Sequence, residues 1–408
     1  MSTVSANEAA ARPREVRPVH PAALTWRIHT SMGEARGAWL ALEAEGAARA
    51  FQTLAWAHAW LDTCAEAGGE PRIAVASLGR EPVILLPLWA RRSFGVETIR
   101  FLGDPWNDYN APIVSRAYAL PSDQDGVASL LRGLAASCAG SASLVIAKQS
   151  PCLADGLPNP MLVPSTERED GSAYVLDLDP AMASDTWQGR GPFFSSLDRK
   201  AKKLRRDGDV RFEVLEGGAE AEAFASIMLE WKRRSLAARG TSNPFANPSG
   251  VAFMRRVARA GAPLARVYAL RLDERPIAIA LGLVEPGSLV LYQTAYDPDF
   301  AKVSPGGQLI REMIRSLARE GAATLDFSFG DDAYKRDIGA REIPLTRITV
   351  PIGTLGQVSG AIGSMGLAAR RLVKRHKPLY AAAVAINRRV AGALPADPPR
   401  DPSGAGKG

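Results

Sequence analysis

Between Tyr296 and Lys335 the chain reads YDPDFAKVSPGGQLIREMIRSLAREGAATLDFSFGDDAYK, and few folds accept that order. A strand ends at Tyr-Asp-Pro, and a loop with Ser304, Pro305, Gly306 and Gly307 opens a helix that runs to Gly321. The strand ATLDFSF follows at once. This arrangement sets free backbone N–H groups and the positive end of a helix dipole at a strand end, where they favour a phosphate or pyrophosphate. Pro305 suits the first helical turn, because its missing N–H costs nothing there. Gly306 and Gly307 let a ligand approach the backbone closely. The same letters also fit a plain helix start capped by Ser304, so local pattern leaves both readings open.

The surrounding periodicity places this segment in a longer series. From Val210 onward a strand (VRFEVL) precedes two helices, stopped by Gly240 and Gly261. Three strands follow, ARVYALRLD, PIAIALGLV and SLVLYQTAY, then the Ser-Pro-Gly-Gly helix, TLDFSF, a short AYKRDIGA segment and a last strand, IPLTRITVP. The first half repeats this order. It has one strand (LTWRIHT), two helices within ARGAWLALEAEG and FQTLAWAHAWLDTCAEAG, three strands (RIAVASL, PVILLPLWA, ETIRFLG), a helix and SLVIAK. Two matching series predict a mixed α/β protein with a duplicated domain. Turn formers in CLADGLPNPMLVPSTEREDGS put the boundary there, giving domains over 20–165 and 170–350. Residues 1–19 read as a disordered leader and 351–408 as a basic, partly helical tail.

Composition excludes several classes. At 408 residues, 46% hydrophobic and 23% charged, the chain has ample material for two cores. No apolar run approaches the ~18 residues that span a bilayer, and the first residues lack the apolar region of a signal peptide. Cys64, Cys138 and Cys152 share no close spacing, and the four histidines form no ligand pair. Neither a zinc site nor a disulfide framework is therefore expected, and a cytoplasmic location fits. Basic residues cluster at 198–211 and 370–377, but no nucleic-acid-binding motif accompanies them. Arg370, Arg371, Lys374, Arg375 and Lys377 offer a peripheral contact with anionic lipid.

YDPDFAKVSPGGQLI followed by DFSFGDDAYK resembles the signature of the CelD-like group of GNAT acyltransferases, labelled cellulose-biosynthesis proteins. That group is similar in turn to Fem-type aminoacyltransferases, which carry two GNAT folds in one chain. The resemblance covers about 170–350 well and the first half by element order only. It implies tandem GNAT-like domains and an acyl-CoA-dependent N- or O-acyltransferase associated with polysaccharide or cell-envelope synthesis. It also implies acetyl-CoA or another acyl-CoA as co-substrate, no metal, and a small-molecule or glycan acceptor. Charged tRNA is the alternative donor, and a non-catalytic scaffold in a polysaccharide-synthesis complex is the alternative role. The usual phosphate loop, Arg/Gln-x-x-Gly-x-Gly/Ala, is here Lys302–Gly307, with Pro305 removing one N–H donor.

Within that frame the cofactor side comprises Tyr292, Thr294, Val303, Ser304, Gly306, Gly307 and Gln308. Alternation puts Tyr292, Thr294 and Tyr296 on one strand face, and Asp326 with Ser328 opposite the apolar Leu325, Phe327 and Phe329. In a GNAT fold these two strands splay around the acyl group, making their polar faces active-site surface. Acyl transfer needs a deprotonated acceptor, oxyanion stabilisation and a proton for the leaving thiolate. A backbone N–H of the Tyr292–Tyr296 strand serves the oxyanion, Asp326 is a candidate general base or else a structural ion-pair partner, and Tyr334 returns the proton. Lys335 is either an acceptor-end cation or a surface lysine paired with Asp331 or Asp332. In GDPWNDYNAP, Trp106 and Tyr109 suit sugar stacking, with Asp104, Asn107, Asp108 and Asn110 bonding hydroxyls; a plain turn fits the same residues. Tyr296 and Ser328 complete the acceptor side.

Overall fold

The computed structural model describes residues 16–352 apart from 46–47, 66–68, 94, 154–155, 163–166, 190, 192 and 240–243. The basic tail from 353 and the first fifteen leader residues lie outside it. Described residues of the first half form β1 (Arg17–Pro18), β2 (Thr25–His29), α1 (Met32–Ala44), α2 (Leu54–Cys64), β3 (Gly69–Pro71), β4 (Ile73–Leu78) and β5 (Glu81–Leu86). They continue as β6 (Leu88–Ser93), β7 (Val96–Phe101), β8 (Ile113–Val114), β9 (Tyr118–Ala119), α3 (Gln124–Ser137) and β10 (Ser143–Gln149). The second half contributes β11 (Glu167–Asp177), α4 (Leu197–Asp207), β12 (Val210–Leu215), α5 (Gly218–Arg239), α6 (Pro248–Ala260), β13 (Ala265–Leu272) and β14 (Arg275–Glu285). It closes with β15 (Ser288–Tyr296), α7 (Pro305–Arg319), β16 (Thr324–Phe329), α8 (Ala333–Asp337) and β17 (Arg341–Pro351).

The fold is mixed α/β, as the element order predicts. Its centre is one 11-stranded sheet, β12-β13-β14-β15-β16-β11-β17-β10-β7-β6-β3, which runs through both halves. β17 makes the join, pairing antiparallel with β11 on one side and with β10 on the other. A local pattern recurs: β7–β10 and β15–β16 are parallel pairs, each joined by one helix and flanked by antiparallel neighbours. A parallel pair needs such a crossover, which α3 and α7 supply.

Three local expectations differ. PVILLPLWA is two strands, because Pro87 interrupts it: β5 joins a separate four-stranded sheet with β2, β4 and β8, and β6 joins the large one. Residues 167–172, expected in the boundary segment, open β11; their polar side chains reflect a solvated strand face, with Glu167 opposite Arg347. Arg17, expected in the leader, is in β1, where its N–H donates to Ala117 O and its guanidinium pairs with Glu81.

Two apolar layers cover the sheet around β13–β16. On one face, α7 buries Leu309, Ile310, Met313, Ile314 and Leu317, at three- and four-residue spacing, against Leu289, Leu291 and Leu325. On the other face, α5 and α6 share a core with α1 and α2 of the first half, through Trp39, Trp56, Phe224, Met228, Phe253 and Tyr292. Each such side chain contributes about 1.5–3 kcal/mol by burial. Strands β13–β16 are therefore packed on both faces.

Candidate functional site

β15 and β16 pair at only three positions, Ser288 with Thr324, Leu289 with Leu325, and Val290 with Asp326, and then part. Just beyond, β15 carries a bulge: Leu281 faces Gln293 while Gly282 faces Leu291, so Tyr292 is the extra residue. The bulge sends the Tyr292 ring into the core, where its hydroxyl donates to Trp106 O at 2.7 Å. It also resets the backbone after it. The Asp297 N–H bonds Ile277 O, so by antiparallel alternation the N–H groups of residues 293 and 295 also point at β14. Those of Thr294 and Tyr296 point the other way, into the gap left by β16.

The α7 N-terminus stands beside this gap. Ser304 adopts left-handed backbone (φ 49°) between a short 3-10 helix, Pro298–Val303, and α7, and its side chain makes no capping hydrogen bond. The plain Ser-capped start is thereby ruled out, and the first-turn amides of Gly306 and Gly307 keep no side-chain acceptor. Instead the Ser304 hydroxyl accepts from Lys200 Nζ on α4 at 2.8 Å. Positive dipole end, free amides and a nearby ammonium make the position strongly anion-favouring.

Together these elements wall a cleft of about 820 Å³. Thr294, Ala295 and Tyr296 line it from β15, Gly306, Gly307 and Ile310 from α7, Phe193 from the segment before α4, and Asp332 and Tyr334 from the turn after β16. Trp231, Lys232, Arg234, Ser235 and Ala238 of α5 line it too. Tyr334 packs its ring between Phe193 (6.0 Å) and Phe327 (5.9 Å), and burial raises its pKa well above the ordinary phenol value. Its hydroxyl is therefore neutral at neutral pH. Among the described residues the lining holds no cysteine and no serine–histidine pair. Such a cleft can hold a thioester with its carbonyl at the β15 amides and let an acceptor attack directly.

Of the residues singled out in the sequence, Thr294, Tyr296, Gly306, Gly307 and Tyr334 line the cleft. Others are elsewhere. Val303 is core, and Gln308 is buried with its amide donating to Val303 O, which ties the loop to the helix. Asp326 is not in the cleft wall: it is 2% exposed, pairs with Arg49 at 3.2 Å, and accepts from the Tyr109 hydroxyl at 2.6 Å and from Ser328 N at 2.7 Å. Burial raises its pKa, with Arg49 opposing. It is the structural partner rather than the general base. Ser328 is also buried, its hydroxyl donating to Asp108 at 2.7 Å.

GDPWNDYNAP is likewise not a sugar platform. Asn107 and Tyr109 are buried; Asn107 accepts from Trp56 Nε1 and donates to Leu102 O and Asn110, and Asn110 also donates to Asp104. Trp106 packs on Phe245 and Phe253. The loop is a joint between the halves. Its mixture of rings and amides meets the needs of a buried seam, where every polar atom requires a partner.

Lys335 is 3% exposed and outside the cleft wall; its expected pairing with Asp332 is present at 3.9 Å, but on a buried lysine rather than a surface one. Its ammonium donates to Ser328 O (3.2 Å) and Phe329 O (3.3 Å), and burial lowers its pKa. It pins the β16–α8 turn, where Ser328 takes φ 59° and Gly330 φ 120°. Lys335→Met is therefore expected to cost about 1–3 kcal/mol by leaving two carbonyls unpaired. Urea unfolding measures this, and an unchanged midpoint would contradict it.

Residues missed by sequence reasoning come from distant elements. Trp231, Lys232 and Arg234 read as ordinary helix residues, and Phe193 lies more than a hundred residues before Gly306. Nothing in the sequence joins them to the cleft.

The family described as Acetyltransferase (GNAT) domain matches residues 193–336, which span the cleft. No curated protein matches the chain. Among solved structures, the C-terminal DUF2156 domain assigned to a lysylphosphatidylglycerol synthetase of Agrobacterium fabrum is similar at 13% identity and TM-score 0.49, covering 84% of this chain and 97% of that one. FemX is similar at 10% identity and TM-score 0.48, covering 79% and 96%. A tandem GNAT protein of the clavulanic acid pathway is similar at 15% identity and TM-score 0.44, covering 81% and 99%. By the domain at 193–336 the chain is an acyltransferase, and that fold uses acyl-CoA in general.

Proposed function

We propose that this protein transfers an acyl group from acyl-CoA directly to an amine or hydroxyl of a sugar, polysaccharide or cell-envelope precursor. The observation that carries the reading is the parting of β15 and β16 beside an uncapped, glycine-bearing helix start. The diphosphate sits at Gly306 and Gly307, the pantetheine arm follows β15, and the thioester carbonyl takes the amides of Thr294 and Tyr296. These amides are fixed before the oxyanion forms, so they stabilise it without reorganisation. Tyr334 protonates the departing thiolate and recovers a proton, through water in the cleft, from the amine or hydroxyl that loses one on acylation. Trp231, Tyr296 and Asp332, across the cleft, receive the acceptor: rings for a sugar face, the carboxylate for a hydroxyl or amine. The motif spacing around Ser304 and Tyr334 supports the finer placement in the CelD-like group. Among the described residues no helix is long and apolar enough to cross a membrane.

The test is thiol release from acetyl-CoA in the presence of a panel of amino sugars, polysaccharides and cell-envelope extract. Acceptor-dependent release supports the reading; release with none of them, despite bound acetyl-CoA, overturns the acceptor class. Tyr334→Phe is expected to lower turnover about 100-fold, the usual scale for a proton donor. Its acyl-CoA affinity should stay unchanged, and a variant with full turnover would remove Tyr334 from the role.

A further inference from the structure

α4 carries six cations, Arg199, Lys200, Lys202, Lys203, Arg205 and Arg206, in eleven residues. Elsewhere arginines are mostly paired, as with Arg211, Arg255, Arg259, Arg266 and Arg271. On α4, Asp198 is taken by Arg311 of α7 at 2.6 Å, and no ion pair or hydrogen bond holds Arg199, Lys202 or Lys203 among the described residues. Arg205 and Arg206 sit in the last turn, where the helix dipole favours them; Arg199 sits in the first, where it does not. Like charges at this spacing repel one another, and among the described residues no ion pair relieves Arg199, Lys202 or Lys203.

The helix is also fixed in place. Leu197, Ala201 and Leu204 are its buried face, and a Cβ on Gly307 would stand 3.1 Å from the Leu197 side chain. Lys200, at the edge of that face, reaches Ser304 at the α7 start. Lys203 adjoins Lys200 on the helix surface, three residues on, and Arg199 adjoins Lys203, four residues back. A row of ammonium and guanidinium groups therefore leads outward from the place where the diphosphate sits.

We propose that α4 is the second half of the cofactor site: Lys200 contacts the diphosphate, and Lys203 with Arg199 binds the 3′-phosphate of coenzyme A, so the protein selects the 3′-phosphorylated cofactor. The inference rests on the acyl-CoA reading of the cleft. A phosphate monoester is a dianion, and two adjacent exposed cations match its charge and size. Bound there, it relieves the repulsion along α4.

The experiment compares binding of coenzyme A and 3′-dephospho-coenzyme A by the full chain and by an Arg199→Gln/Lys203→Gln double variant. Both positions are exposed and lose only like-charge repulsion, so the variant's thermal midpoint should be at or slightly above the wild-type value. The wild type should prefer coenzyme A about tenfold or more, with the preference shrinking as salt rises. The double variant should bind both compounds as the wild type binds the dephospho form. Equal binding of the two by the wild type, or a preference retained by the variant, overturns the α4 subsite while leaving the cleft reading intact. No binding of either compound overturns both. A phosphorylated acceptor as the true ligand would show as equal cofactor binding, with the variant impaired only in transfer.

Discussion

A leucine at position 306 is expected to lower acyl-CoA affinity about 100-fold, or about 2.7 kcal/mol, without lowering the thermal midpoint. A Cβ at Gly306 would meet only Tyr296 Cδ1, at 3.4 Å, and the backbone there is ordinary right-handed helix. The side chain therefore fits the protein but projects into the space where the ligand must reach the first-turn amides. Replacing a helical glycine also removes unfolded-state freedom, so stability should hold or rise slightly. Gly307→Leu makes the contrast. Its Cβ would press on Leu197 at 3.1 Å and Phe193 at 3.5 Å, so it should disturb the α4–α7 packing as well as binding. A folded Gly306→Leu protein with wild-type affinity would remove the α7 start from the site.

Arg49→Ala should produce the largest loss of stability, about 3–5 kcal/mol at neutral pH. Arg49 comes from the first half and enters the second between Glu285 (3.1 Å) and Asp326 (3.2 Å), its guanidinium 4.3 Å from the Tyr109 ring centre. Both carboxylates are buried, at 6% and 2% exposure, so removing the cation strands two charges away from water. The pH dependence has a definite sign. Burial already holds the Asp326 pKa above its ordinary value, and Arg49 is what opposes the rise. Without Arg49 the folded pKa climbs further. A folded pKa above the unfolded one means a penalty present at pH above the folded value and relieved as pH falls towards the unfolded one, about 4. The gap between variant and wild type should therefore narrow between neutral pH and about pH 5. Urea unfolding at the two conditions measures it; a gap that is constant, or below about 1 kcal/mol, would deny Arg49 this role.

These two sites show what the sequence could and could not reveal. The α7 start was legible because its signal is local: a strand, two glycines after Pro305, and apolar residues at helical spacing act within one short segment. β15 was legible for the same reason, but only as far as its alternation held. The bulge at Tyr292 turns that tyrosine into the core, and no residue pattern in SLVLYQTAY announces it. Asp326 stayed open between base and ion-pair partner because that partner, Arg49, is 277 residues away, and strand alternation gives a face without saying whether that face is wet. GDPWNDYNAP stayed open in the same way. Rings and amides suit a ligand platform and a buried seam equally, and only the packing of the other half decides. β11 escaped because a strand whose first half is EREDGS carries the composition of a loop. In each case the missing information was long-range.

The central claim is that the cleft between β15 and β16 holds an acyl-CoA, and calorimetric titration of the full chain with acetyl-CoA and longer acyl-CoAs tests it most directly. The account predicts saturable one-to-one binding that Gly306→Leu weakens about 100-fold and Tyr334→Phe leaves intact. No heat with acyl-CoA of any chain length, together with saturable binding of charged tRNA, would contradict it and assign the cleft to aminoacyl transfer.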